Sequence, residues 1–213
     1  MRASLHRKSS PMLAKLFSIA LPAALLAVSP APAQGVSHDP ATVQDGTYHV
    51  EPVHTRVLFS LSHLGFTTWY GEFTKVSGTL QLNPKSVAQS SFEIHIPVSS
   101  LSTSNTVLDG ELADPSWLDA AQFPEILFKS EKVAETGKDT AEVTGALTLH
   151  GVTKPVTLAV KFNGAGLNPF NKQYTVGFDL TGKIRRSDFG VKKYPQAIGD
   201  DVDLIISAGF EHS

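Results

Sequence analysis

Eight histidines in a chain of 213 residues without cysteine raise the question of a metal or an acid–base site. A tetrahedral or facial metal site draws its ligands from short, regular spacings of His, Cys, Asp and Glu. Here His54, His63, His95 and His150 fall on different predicted strands. No His-x-His or His-x3-His pair with an acidic third ligand occurs. His63 belongs to the apolar face of its strand and His95 to the polar face of another, so the two should diverge. No metal and no cofactor is expected. His63 has two readings: a hydrogen-bonded polar residue ending a core strand, or a contact to the polar end of a ligand. Nucleophile motifs are absent too, with no Gly-x-Ser-x-Gly and no cysteine. The acidic pairs Glu125/Glu131 and Asp200/Asp201 fall on turns or solvent faces, whereas paired catalytic carboxylates need a shared cleft. These absences favour a protein that is not an enzyme.

The residue whose placement asks most for an explanation is Arg186. It follows Phe178, Leu180, Gly182 and Ile184 at period two, so it should point inward with them. A buried guanidinium is costly unless it is paired. Asp109 or Asp188 could supply a structural carboxylate; an anionic or strongly polar ligand head could do the same. Trp117 and Leu118 stand just after a predicted helical segment. They read either as a plug that closes one end of a core or as a lid over a pore, and one inner face can serve both.

The elements that must position these residues are strands. In Leu147-Thr-Leu-His-Gly-Val-Thr-Lys-Pro-Val-Thr-Leu158, apolar and polar residues alternate on both sides of a break. Period two marks a strand with one buried face, and Gly151 and Pro155 read as the hairpin connection. Strands are predicted at Tyr48–Val53, Arg56–Phe66, Gly71–Leu82 (bent at Gly78) and around Phe92–Val98. Further strands follow at Glu125–Val133, Ala141–His150, Val156–Leu167, Gln173–Arg185 and Asp201–Phe210. The inward sets include Val57, Phe59, Leu61 and His63, then Phe73, then Phe92 and Ile94, then Phe128 and Leu147, and finally Phe178, Leu180 and Ile184. Glycines 71, 78, 145, 177 and 182 also fall inward, where they leave volume unfilled or turn a barrel corner. Between Thr103 and Ala121 the period changes. Val107, Leu108, Glu111 and Leu112 fit a helix that Asp114-Pro115 ends. Many strands joined by short turns indicate an antiparallel barrel or sandwich.

The first 33 residues read as an export signal. Arg2, Arg7, Lys8 and Lys15 precede an apolar run from Leu16 to Val28, and Ala31-Pro32-Ala33 is a small-x-small cleavage site. Gln34 would begin the mature chain, 34–46 would be a loose leader, and 47–213 would form one domain. The destination expected is the periplasm, with no membrane span after cleavage. The 18 basic and 20 acidic residues include four basic and no acidic ones in the signal. The mature part therefore carries 14 against 20, a net of −6. That excludes a nucleic-acid partner and simple adhesion to anionic lipid. The sequence leaves a homodimer open.

Four motifs in order resemble the YceI-like family of lipocalin-like, polyisoprenoid-binding bacterial proteins. They are His54-Thr-Arg-Val-Leu-Phe-Ser-Leu-Ser-His63-Leu-Gly with Gly71-Glu-Phe; Ser100-Leu-Ser-Thr103 through Asn105, Asp109, Leu112 and Trp117-Leu-Asp to Pro124-Glu-Ile-Leu-Phe128; Gly145-Ala-Leu-Thr-Leu-His-Gly-Val-Thr-Lys-Pro155; and Arg186-Ser-Asp-Phe-Gly190 with Gly199-Asp200-Asp-Val. The resemblance spans about Tyr48 to Phe210. It implies an all-β fold, an eight-stranded antiparallel lipocalin-like barrel around an elongated apolar pore, with a short helical segment closing one end. It also implies a bound long-chain lipid: a polyisoprenoid, an isoprenoid quinone or a fatty-acid amide. The residues expected to touch it are the inward sets above together with Leu112, Trp117, Leu118 and Arg186. The chain departs from the family at Leu108-Asp109-Gly-Glu111-Leu112, where relatives often show Arg-Asp-x-His-Leu, so a different head group is implied. The rivals are a filled structural barrel that binds through its loops and a small enzyme acting on such a lipid.

Overall fold

Alternating side chains determine which way each strand faces, and in the computed structural model, which describes residues 35–213, they close a ring. The signal segment expected at 1–33, and Gln34 after it, lie outside the described residues. The strands are β1 (Gly46–Val50), β2 (Arg56–His63), β3 (Thr67–Phe73), β4 (Ser77–Leu82), β5 (Ser91–Pro97), β6 (Leu101–Ser102), β7 (Glu125–Glu135), β8 (Thr140–Leu149), β9 (Val152–Leu167), β10 (Tyr174–Arg185) and β11 (Asp201–His212), with one α-helix, α1 (Thr106–Ala113). All pairings are antiparallel. β1 and β2 both pair with β11, and they pair in turn with β4 and β3. β1–β2 is thus one interrupted strand of the wall. β3–β4 is a second, and β5–β6 a third, since β5 pairs with β4 and β6 with β3. With β7 to β11 these make a closed eight-stranded antiparallel barrel, the number that leaves an interior just wide enough for side chains or one slender ligand.

Hydroxyl side chains sew up the three interruptions. Thr55 donates its Oγ1–H to the carbonyl of Gly209 at 3.2 Å and accepts the Gly209 N–H at 3.0 Å, standing in for ladder bonds that β1–β2 lacks there. Thr74 gives both its N–H (3.0 Å) and its hydroxyl (3.1 Å) to Ser100 O, and Ser100 Oγ donates to Pro97 O at 2.8 Å. Thr55 and Ser100 are among the few buried polar residues, as expected if buried backbone groups must find partners.

The β8–β9 turn is tighter than expected. Only His150 (φ 51°) and Gly151 (φ 71°) form it, the pair of left-handed residues that a two-residue hairpin requires. Pro155 lies inside β9, opposite Ala146. Counting from the closing pair Leu149–Val152, Ala146–Pro155 is a non-hydrogen-bonded pair. The ladder to β10 begins at Leu158, so the missing N–H of Pro155 costs no bond. The stretch expected as one bent strand, 71–82, is two strands.

The N-terminal segment, read as a loose leader, is docked. Ser37 exchanges backbone bonds with Ala165 at 2.8 and 2.9 Å, Pro40–Thr42 forms a 3-10 turn, and Val43 joins the core. At the opposite end, α1, the turn after it and the 186–199 connection cover the barrel. No helix among the described residues is long and apolar enough to cross a membrane.

Candidate functional site: an apolar cavity closed by a helical flap

The barrel encloses a cavity of about 280 Å³. Every strand contributes apolar residues: one each from β1 (Val50), β3 (Phe73) and β6 (Leu101), and two or more from each of the others. The polar side chains on the lining are Thr55, Ser90 and Arg186, with Trp117 at the flap. A cavity of about 150 Å³ lined in this way stays dry and admits small hydrocarbons, so a larger one is a site for an apolar molecule. The sequence places Val57, Phe59, Leu61, Phe73, Phe92, Ile94, Leu112, Trp117, Leu118, Phe128, Leu147, Phe178, Leu180, Ile184 and Arg186 at this site, and all of them line the cavity. Leu80, Leu82, Leu149, Leu204, Ile206 and Phe210 line it as well. Sequence reasoning left these out, although the same alternation marks them.

His63 does not reach the cavity. β2 carries it beyond the closed part of the barrel, where it bridges to Ile198 and its ring lies 5.3 Å from Trp69. Inward parity alone could not show that the strand outruns the pore. The inward glycines are not empty corners either. The ring of Phe59 lies over Gly71 and that of Phe128 over Gly145, while Leu158 occupies the space beside Gly182. At Gly78, with φ 149°, the Glu93 carbonyl comes too close for any side chain. Gly177 does not face inward at all: it pairs with Gly209, which lies between the cavity-lining Ala208 and Phe210.

Arg186 is 5% exposed and lies at the flap end of the cavity. Neither Asp109 nor Asp188 pairs with it. Asp109 instead accepts the N–H and hydroxyl of Thr103, both at 2.7 Å. The guanidinium is held by backbone carbonyls, Nε to Gly199 O, Nη1 to Val191 O and Nη2 to Ile198 O, each at 2.9 Å. It pins the 191–199 loop. Burial pulls its pKa below the ordinary value, and the charge of Asp200 opposes that. Asp200 itself is engaged by Ser187 (N–H 2.9 Å, hydroxyl 2.8 Å) and Arg185 (3.0 Å). The Arg186 charge therefore faces an apolar space with no carboxylate in contact.

Trp117 stacks over that charge, with Arg186 Cζ 5.7 Å from its ring centroid and Lys193 Nζ at 5.6 Å. Its indole N–H donates to Glu111 Oε1 at 3.2 Å, and Lys193 Nζ donates to the same oxygen at 3.1 Å. The Lys193 and Trp117 donors hold the Glu111 carboxyl below the usual range, and Glu111 in turn raises Lys193. Glu111, seen in sequence only as the loss of a family histidine, is thus the hub of the flap. Its partner Lys193 lies 82 residues away, and no local pattern connects them. His95 sits on the outer wall between Glu125 (3.1 Å) and Glu93 (3.2 Å). Among the described residues no three His, Asp or Glu side chains stand together as a metal site would need.

The YceI-like domain family matches residues 48–210. A UPF0312 protein of Pseudomonas savastanoi pv. phaseolicola is 36% identical over 167 residues, covering 78% of this chain and 86% of the relative. Protein YceI of Escherichia coli O6:H1 is 36% identical over the same shares. Among solved structures, BcnA of Burkholderia cenocepacia superposes with a TM-score of 0.68 at 26% identity, over 75% of this chain and 98% of that one. A domain of Saccharophagus degradans described as polyisoprenoid-binding has the same fold, with a TM-score of 0.60 at 15% identity, over 80% of this chain and all of the other. With a closed eight-stranded barrel, an apolar bore and a family match over nearly all of the described residues, the chain belongs to the YceI-like family.

Proposed function

We propose that this protein is an exported, non-enzymatic carrier that sequesters a single long-chain lipid, such as a polyisoprenoid, an isoprenoid quinone or a fatty-acid amide, inside its barrel. The observation that carries this reading is the apolar cavity with one buried cation at its flap end. Affinity comes from burial, at about 0.8 kcal/mol per CH₂ removed from water, less the cost of ordering the chain. The polar end of the ligand lies beside Arg186, whose remaining N–H groups and unneutralised charge suit a phosphate, carboxylate or carbonyl oxygen. The export signal read at 1–33 supports a periplasmic setting with cleavage after Ala33, which the intact mass of the natively secreted protein tests.

Native mass spectrometry and organic extraction of freshly purified protein test the carrier reading. A long-chain lipid near one per barrel is expected. An empty extract, together with no uptake of an added apolar probe, would instead favour a structural barrel that acts through its loops.

A further inference from the structure

We infer that residues 103–123 form a lid over the cavity and that the Glu111–Lys193 contact is its latch. This rests on the carrier reading above. The segment is held together by its own bonds. Asn105 caps the Val107 and Leu108 N–H groups, Asp109 ties back to Thr103, and Leu118 N–H and Ala120 N–H return to Leu112 O (3.1 Å) and Ala113 O (3.0 Å). Helix α1 and the following turn thus make one unit. That unit is poorly anchored to the barrel. No residue of α1 is buried, and Val107 is 81% exposed. Among the described residues, Lys193 Nζ to Glu111 is the one hydrogen bond joining 103–123 to a part of the chain distant in sequence. The rest of the attachment is apolar or aromatic: Leu112, Trp117 and Leu118 close the cavity, Ala120 packs on the core, and Phe123 stands edge-on to His150 of the β8–β9 turn, 4.9 Å away.

A non-glycine residue with left-handed backbone, Ser104 (φ 61°), stands at the start of the unit, and a second, Asp119 (φ 47°), lies in the turn within it. Such positions are where a hinge can absorb a change in φ and ψ. Opening then requires two events. Glu111 releases Lys193, and Trp117 lifts from Arg186, Lys193 and the edge of Tyr194, 6.2 Å away. The indole N–H and Glu111 belong to the same unit, so their bond can travel with the lid while the Lys193 bond breaks. A partly exposed ion pair is weak enough to break readily and strong enough to set a residence time.

The test is the exchange rate of N-phenyl-1-naphthylamine, followed by stopped-flow fluorescence. In Glu111→Gln and in Lys193→Gln, both association and release should quicken by about two- to fivefold, the range for one such ion pair, while the equilibrium affinity changes little. A variant with cysteines at 111 and 193, unambiguous in a cysteine-free chain, should exchange probe quickly until a short bis-maleimide joins them. Release should then slow at least about tenfold, since the lid can no longer open. Unchanged rates in both Gln variants together with unhindered release from the cross-linked protein would overturn the latch. Should Glu111→Gln fold poorly, Lys193→Gln and the cross-link still decide the matter. If the wild-type protein takes up neither this probe nor a lipid, the carrier reading falls first and the lid with it.

Discussion

The phenyl ring of Phe128 lies against Gly145 of the neighbouring strand so closely that a β-carbon there would stand 2.5 Å from its Cζ. Phe59 and Gly71 repeat the arrangement across the barrel. The glycines hold two large rings flat against the wall, which keeps the bore open. At Gly145 a β-carbon would also meet the Lys129 carbonyl, whereas at Gly71 its nearest contacts would all be with the Phe59 ring, so Gly71→Ala should drive that ring inward and narrow the cavity. Overpacking of this kind costs about 1–3 kcal/mol. Binding of a long-chain lipid, measured by titration, should weaken more than binding of a short one. Equal affinity for both in a folded variant would refute the open-bore role.

Arg186→Gln removes a buried charge and most of the bonds that pin the 191–199 loop. Unfolding in urea should show a loss of at least about 1.5–3 kcal/mol, the range for one hydrogen bond to a charged group. Beyond that general loss, affinity for a polyprenyl phosphate should fall more than affinity for an uncharged quinone. A uniform loss across both ligands would leave Arg186 its role as a loop anchor and deny it the head group.

Thr55→Val keeps the shape of a buried side chain while leaving the Gly209 N–H without its partner. The expected destabilisation is about 1–3 kcal/mol. It should be read by chemical denaturation. A change below about 0.5 kcal/mol, the scatter of ordinary surface substitutions, would show that the strand interruption needs no hydroxyl.

Glu51 anchors the same interruption, accepting the N–H of Val53 (2.9 Å), the N–H of His54 (2.8 Å) and His54 Nδ1 (2.8 Å). Burial works to raise its pKa, but the His54 and Val53 N–H groups outweigh it and hold the carboxyl below the ordinary 4.5. The stabilisation is therefore fully present above pH 4.5 and is lost as pH falls through the lowered folded value. Glu51→Gln should be less stable than the wild type at pH 7, and the gap should close in acid. A gap independent of pH would mean that the carboxylate charge plays no part.

Most of the wall could be read from the chain because period two is a local property. Phe178, Leu180 and Ile184 face inward as their spacing requires, and so do Val57, Phe59 and Leu61. Misreadings came where three-dimensional closure decides. Pro155 looked like a break because strand pairing, not composition, fixes which N–H groups are needed. For Arg186 the sequence offers a carboxylate, Asp109 or Asp188, or a ligand head, because a fold-back loop with three carbonyls leaves no mark in it. His63 has the right parity but the wrong height. Glu111 and Lys193 meet only because two connections cross the same end of the barrel.

The three interruptions, at 51–55, 74–76 and 98–100, lie side by side in adjacent strands. The remaining wall runs through β7 to β11, strands of 10 to 16 residues. Mechanically the barrel is thus stiff on one flank and compliant on the other. Its girth can change along the sewn seam, where a few hydroxyl bonds stretch or break, without unzipping any long ladder. Amide protons along that seam should exchange with solvent ahead of those in β8 to β10. Such a seam gives one barrel the tolerance to hold tails of unequal thickness.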